Sequence, residues 1–486
     1  MFSARANQKI VVSIVYISGM LMNSLDSTMV NVALATLGRE FGVPAASVEA
    51  VIIAYLVSLA VFIPASGWLG DRFGTKRVFQ FALGMFTLAS LLCGMAQTLE
   101  QLILFRVLQG VGGGLLTPVG MAMLYRTFPP AERVAVSRIL MFALVIGPAT
   151  GPVLGGFLLE QFSWRWAFWV KVPVGLAALL FGWLFLREHR EPSAGRFDLP
   201  GFLLGGAGLA TLMFALSEGP ARGWTDPAIA VTGVAGVVLM TTFVRAELRS
   251  PEPMVDFGLF RNRLFRTTLL TSFFASSAFM GVLFLVPLFL QEGRDASPLE
   301  AGLTTFPEAI GVVISTQLVA RLYPNVGPRR LMAGGLFGVA AAAVLLGTVG
   351  LLASPWVIRG LMFMLGAGMA YVFLPNQAAG LATITREDTG RASMLTSVQR
   401  QVGAAIGVAT VSSVLAMADP ALTRELADPA DVLSPYRAAF FAAAVFAVLG
   451  AVIALRVPDA DAAATMVATR RRAAVEAEPE TVLEAG

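Results

Sequence analysis

The sequence predicts an all-α membrane protein that crosses the bilayer fourteen times, and three observations carry that prediction. The chain of 486 residues is 56% hydrophobic and only 14% charged, with a mean hydropathy of +0.74, whereas a soluble protein is about 25% charged. Apolar runs of about 20 residues, enough to cross a hydrocarbon layer roughly 30 Å thick, recur down the chain with short polar breaks. With the N-terminus inside, 25 of the 35 lysines and arginines fall in or beside cytoplasmic segments and six in external loops. That bias marks cytoplasmic loops, so both termini are expected inside. The runs are continuous and do not alternate over about ten residues as a β-barrel requires. The net charge of +4 belongs to these loops and not to a nucleic-acid surface.

The first span, about 10–35, follows the polar leader MFSARANQK with no small-residue cleavage site, so it is expected to be retained. Asn23, Ser27 and Asn31 recur every fourth residue beside Asp26, a polar stripe that should face a wet cavity. Spans two and three, about 48–70 and 78–97, are joined by GDRFGTKR (70–77), whose basic residues anchor it inside. Cys93, alone in span three, can form no internal disulfide. Span four, about 101–125, places Arg106 near its outer start, with Gln109 and a glycine run behind it. At 1.5 Å per residue, Asp26 and Arg106 lie about 9 to 13 Å from the outer ends of their spans. They are level and can pair. A pair that forms and breaks is what a proton-coupled carrier needs, and a permanent structural ion pair is the plain alternative.

Span five, about 135–159, contains VIGPATGPVLGG. Gly147, Gly151 and Gly155 share one helix face and Pro148 and Pro152 the adjoining one. A smooth glycine face lets a neighbour approach closely in lipid, and the prolines permit a bend. Simple small-residue packing without a moving part is the alternative. Span six, about 167–187, carries Lys171 near its outer end, from where its stem is expected to snorkel to the surface. The one histidine, His189, follows in the charged loop REHREPSAGR, solvated and without a cluster to hold a metal.

Spans seven and eight, about 199–217 and 227–245, read as an insertion between two halves. Spans nine to fourteen, about 267–290, 299–321, 331–352, 355–380, 394–417 and 437–456, repeat the plan of the first six. The turn YPNVGPRR (323–330) places Gly327, Arg329 and Arg330 where the first half has Gly74, Lys76 and Arg77, but Pro324 replaces Asp71. Arg359 with Gly366 and Gly368 echoes Arg106 and its glycines. Internal duplication of this kind builds many secondary transporters and places the substrate between the halves, near the midplane. The expected units are a first bundle over 1–190, an inserted pair over 191–250, a second bundle over 251–457 and a disordered Ala-rich tail over 458–486. Glu308, in TTFPEAIGVV near the middle of span ten, is the most expensive residue in the chain, because burial penalises its charge. It is a candidate proton carrier or cation-binding acid, and Pro307 is expected to bend the helix beside it. A permanently neutral Glu308, or one paired with Arg359, is the alternative. Arg400, near the inner end of span thirteen, is expected to fix the cytoplasmic side.

GWLGDRFGTKR (67–77) resembles the loop signature between spans two and three of the major facilitator superfamily. LILFRVLQGVGGG (102–114) resembles its span-four signature, and GPATGPVLGG (147–156) the span-five pattern of its antiporters. LDSTMVNVAL (25–34) and WRWAFWVKVP (164–173) are similar to motifs of the fourteen-span drug/proton antiporter family. The resemblance covers nearly the whole chain. It implies a major facilitator fold and a proton-coupled antiporter that exports amphipathic compounds, as in multidrug efflux, by alternating access. Asp26, Glu308, Arg106, Asn23, Asn31, Gln109 and Arg359 are the proton-coupling and substrate-binding candidates. Asp71, Arg72, Gly74, Arg77, Gly147, Pro148, Gly151, Pro152 and Gly155 are the candidates for gating. Asp71 would latch the cytoplasmic gate at the N-terminus of a neighbouring helix, where an acid is favoured. Lys171 departs from the family pattern, which has an uncharged polar residue there, and repulsion of cationic cargo is its other possible consequence.

The expected partners are a small amphipathic molecule, protons and the lipid bilayer of a bacterial cell membrane, with no nucleic acid, and the chain is expected to work as a monomer. No cofactor is expected, since the proton gradient supplies the drive. Export of a lipid, a siderophore or an endogenous metabolite fits the same scaffold. A passive channel moves cargo only downhill, and an enzyme needs clustered catalytic groups that the sparse acids do not provide. The sequence has no GxxxxGK[ST] for an ATP-driven pump, and the glycines at 110–114 follow no strand as a dinucleotide loop would.

Overall fold

The computed structural model describes residues 7–42, 45–128, 132, 147, 150–151, 154–159, 161–190, 197–250, 253, 255–350, 353–385, 387–417 and 429–466. Their regular structure is helical. In the first half α1 spans Gln8–Phe41, α2 Ala45–Phe62, α3 Ala65–Phe73, α4 Thr75–Met95, α5 Leu99–Thr127, α6 Trp166–Trp169 and α7 Lys171–Phe185. The pair α8 (Leu199–Arg222) and α9 (Pro227–Glu247) follows. The second half comprises α10 (Arg263–Leu288), α11 (Pro298–Thr305), α12 (Pro307–Val326), α13 (Pro328–Thr348), α14 (Pro355–Gly380), α15 (Thr389–Met417) and α16 (Pro429–Ala454). Among the described residues twelve helices are long and apolar enough to cross a membrane, thirteen when the α2–α3 pair, bent by 55°, counts as one broken span. The remaining expected span, 135–159, lies mostly outside the described residues.

Polar side chains close the helix ends. Asn7, Thr98, Asp198, Asp226, Asn262, Ser297 and Ser354 each accept a backbone N–H in the first turn of the helix that follows. α1 runs past its expected end to Phe41 and stops where Gly42 adopts φ 64°, because a left-handed residue ends a helix cheaply only as glycine.

The duplication appears at two such turns. Gly74, with φ 99°, joins α3 to α4, and Gly327, with φ 82°, joins α12 to α13. Each turn is closed by an acid from just beyond its bundle's last helix. Lys76 N donates to Glu188 Oε1 at 2.9 Å, and Arg329 N donates to Asp459 Oδ1 at 2.9 Å. Carboxylates thus sit on the orphan amides at the starts of α4 and α13. The second contact corrects the expectation of a tail disordered from 458. Ala462 and Thr465 are fully buried, and the Thr465 hydroxyl pairs with that of Tyr323 at 2.7 Å. Residues 467–486 lie outside the described residues.

Close helix approach organises each half. A Cβ added to Gly110 would sit 2.6 Å from Tyr55 O, one at Gly112 2.7 Å from Ala82 O, and one at Gly114 2.6 Å from Leu59 O. α5 therefore meets the backbones of α2 and α4 on opposite faces, packing that only a missing side chain permits. Gly335 and Gly368 do the same between α13 and α14. One apolar cluster, including Leu336, Met362 and Phe440, fills the second half. A second includes Phe79, Leu116 and Tyr125 of the first half and continues into Phe265, Leu269, Leu381 and Leu395 of the second. It joins the halves at the end that carries Asp71. The cluster at the opposite end of the first half, around Val30, Leu37 and Trp164, draws on that half alone. α8 and α9 pack on each other, and α8 lies against both α2 and α15.

Candidate functional site

α1, α4, α5 and α7 converge on Asp26. Its carboxylate accepts from Arg106 Nη1 at Oδ2 and from Lys171 Nζ at Oδ1. Gln109 Nε2 donates to the same Oδ1 at 2.8 Å and to Ser90 Oγ at 2.9 Å, while its Oε1 accepts from Arg106 Nη1 at 2.8 Å. Arg106 Nε donates to Val51 O at 3.2 Å, and its guanidinium lies 4.2 Å from the centroid of the Tyr55 ring. The Tyr55 hydroxyl donates to Asn23 Oδ1. Asp26, Arg106 and Lys171 are each at most 1% exposed. A carboxylate and two cations withdrawn from water persist only with their hydrogen bonds satisfied, and these partners supply them.

Lys171 does not snorkel. α6 ends at Trp169 and α7 begins at Lys171, so the chain turns at Val170. The stem passes the Phe168 ring, 4.9 Å from Nζ to its centroid, and reaches inward to Asp26. A buried anion is a stronger attraction than the rim of the span. The side chains of Ser27 and Asn31 lie outside the described residues, and so do Pro148 and Pro152. Gly147, Gly151 and Gly155 of span five face α1 beside the cluster. A Cβ at Gly147 would run into Ser24 and one at Gly151 into Thr28, while one at Gly155 would come within 3.3 Å of Met29 Cα.

The structure does not bring Glu308 to this cluster. Glu308 opens α12 just after the break at Phe306, is half-buried, and makes no hydrogen bond or ion pair with the described residues. Its backbone presses on Gly366, where a Cβ would collide with Glu308 O. Arg359 is not its partner. The guanidinium stacks 4.6 Å from the centroid of the Trp356 ring, and its Nε is buried without a hydrogen bond.

At the other end of the first bundle Asp71 accepts from Arg126 Nη2 at 2.7 Å, with both side chains less than 10% exposed. Its carboxylate lies against the first turn of α15, where a Cβ at Gly390 would come within 3.0 Å of Oδ1. Nearby, the Tyr125 hydroxyl donates to Gln377 O at 2.6 Å, a direct bond between the halves. Arg72 is exposed, and Arg77 pairs with Glu188 at 3.6 Å. Ser90, Tyr55, Arg126, Tyr125, Gln377, Glu188 and Asp459 were not singled out in the sequence. Only the charged ones carried any signal there, as acids and a base flanking apolar runs.

A family model described as Major Facilitator Superfamily matches residues 16–408. The Multidrug resistance protein B homolog of Mycobacterium tuberculosis is 35% identical over 402 residues, 81% of this chain and 74% of that protein. The Putative multidrug resistance protein MdtD of Salmonella paratyphi A is 32% identical over 465 residues, 93% of this chain and 96% of its own. Among solved structures, the human organic anion transporter MFSD10 is similar with a TM-score of 0.66 at 17% identity, covering 92% of this chain and all of its own. The proton:xylose symporter XylE has a TM-score of 0.66 at 16% identity, covering 96% of this chain and all of its own.

Proposed function

This chain belongs to the major facilitator superfamily, and from that premise we propose that it is a proton-driven exporter of amphipathic, largely hydrophobic compounds. It works in the cell membrane with both termini in the cytoplasm. One observation carries the reading: three charged groups, Asp26, Arg106 and Lys171, are enclosed at the junction of α1, α5 and α7. Ionisable groups held within a membrane bundle at such expense mark ion pathways and proton relays. The unpaired carboxyl of Glu308 provides a second proton-exchanging site. Its position at the α11–α12 break exposes it to rearrangement of that helix. Relatives named for multidrug resistance support the cargo class.

Alternating access then has a mechanical reading. Asp71 against Gly390, and Tyr125 on Gln377, hold the halves together at one end. Inward opening breaks these contacts, and the smooth contact of span five on α1 lets the bundle slide past itself. One proton exchanged for one monocation moves no net charge and draws on the pH gradient alone. Two protons per monocation draw on voltage as well, at about 2.3 kcal/mol per charge per 100 mV.

The test is uptake by vesicles that contain the purified protein and carry an imposed pH gradient, with ethidium as cationic and fluorescein as anionic amphipathic probe. The wild type is expected to accumulate at least one of them uphill, and Asp26→Asn and Glu308→Gln to lose that movement while keeping the wild-type elution profile. Uphill movement unaltered in both variants sinks the proposal.

A further inference from the structure

We propose that Lys171, and not Asp26, is the member of the buried cluster that takes up and releases the transported proton. The inference rests on the proton-coupled reading above and deepens it.

The argument is geometric. Asp26 is enclosed by donors, with Lys171 Nζ and Gln109 Nε2 on Oδ1 and Arg106 Nη1 on Oδ2. A proton added to Asp26 displaces one of these donors and leaves two buried cations with no anion between them. Removal of a proton from Lys171 does the opposite, since Arg106 and Asp26 remain as a matched pair and the neutral amine can still donate to Oδ1. A low-dielectric site favours the state with less net charge. Arg106 is excluded as the carrier because a guanidinium keeps its proton, whereas an ammonium readily gives one up when buried.

The other groups facing Lys171 do not compete. Cys93 on α4 interacts with it electrostatically and donates its thiol to Gln109 Oε1 at 3.8 Å. Tyr55 on α2 gives its hydroxyl hydrogen to Asn23, and Arg106 on α5 is the second cation. No carboxylate besides Asp26 forms an ion pair with Lys171 or Arg106 among the described residues.

The step balances simply. An Nζ–H bond breaks, the electron pair stays on Nζ, the proton passes to water, and the cluster goes from one net positive charge to none. Uptake reverses each change. The mechanical consequence follows from which helices the charge ties together. Lys171 is the first residue of α7, and its ion pair fastens α7 to α1. On deprotonation that tie weakens, while Arg106 and Gln109, both bonded to Asp26, still hold α1 to α5. The proton therefore governs whether α7 moves with α1.

The experiment compares full-length wild type with Lys171→Arg, a permanent cation, and Lys171→Met, permanently neutral. In vesicles, a gradient of one pH unit supports about tenfold accumulation per proton exchanged in the wild type. Both variants are expected to show no accumulation while still equilibrating the probe downhill. Wild-type accumulation by Lys171→Arg overturns the proposal. A second measurement needs no cargo. On a shift from mildly acidic to mildly alkaline buffer, the solubilised wild type should release roughly one proton more per chain than Lys171→Met. The infrared difference spectrum should contain no carboxylic acid band that disappears in Asp26→Asn. Such a band, or equal proton release by Lys171→Met, overturns the proposal even where Lys171→Arg fails to fold. Failure of the wild type to accumulate either probe removes the exporter reading instead, and the titration still identifies the proton's carrier.

Discussion

Gln109 is the hinge of the cluster at the scale of a single residue, because one amide serves Asp26, Arg106 and Ser90 together. Gln109→Leu keeps the volume and removes these bonds and the one from Cys93; Asp26 and Arg106 keep each other, but Ser90 Oγ loses its partner, at about 1–3 kcal/mol. A lower midpoint of thermal unfolding in detergent is expected, with the protein still folding. An unchanged midpoint would mean that water already serves this atom. The Asp26–Arg106 pair was legible in the sequence because depth along a helix is a matter of counting residues. The inward turn of Lys171 was not. Counting placed its Cα near the rim, but the direction of its stem depends on the break at Val170 and on an anion contributed by another helix. The stacking of Arg359 on Trp356 escaped for a related reason, since neither residue's sequence neighbours announce where the guanidinium will lie.

Helix-to-helix contact is set at the next scale by which glycines have a backbone across from them. Gly110→Ala places a Cβ 2.6 Å from Tyr55 O, so α2 must withdraw from α5 at a cost of about 1–3 kcal/mol. Gly334→Ala, two turns into α13 with nothing within 4 Å, is expected to be neutral or slightly stabilising through better helix propensity. Yield and thermal midpoint of the two variants, measured side by side, check the contrast; equal behaviour would contradict the close approach. Asp459→Ala removes the acid from the start of α13 and is expected to cost about 0.5–2 kcal/mol, read as earlier melting. The spans themselves were legible from hydropathy, and the two turns from their shared Gly, Lys and Arg spacing. The acids that close those turns were not, because Glu188 and Asp459 reach them across 112 and 130 residues, a separation that leaves no periodic trace.

For the whole molecule, closure at the Asp71 end is the feature with the largest reach. Tyr125→Phe deletes a hydroxyl bridge between the halves worth about 0.5–1.5 kcal/mol. Under the alternating access proposed above, the balance between closed and open forms should shift by up to about tenfold toward opening. Labelling of a cysteine introduced at Gln377 should accelerate accordingly, and an unchanged labelling rate would show that the bridge carries no weight. The matching turns at Gly74 and Gly327 were legible from the repeat, whereas the bond from Tyr125 to Gln377 was not, since 252 residues separate the two. The acids Glu188 and Asp459 give this plan a corollary. Because each returns to a turn of its own half, neither half borrows an acid from the other to close these turns. Severing the polypeptide in the charged stretch after Glu188 should accordingly yield two fragments that insert separately and, produced in the same cell, purify together as a working pair.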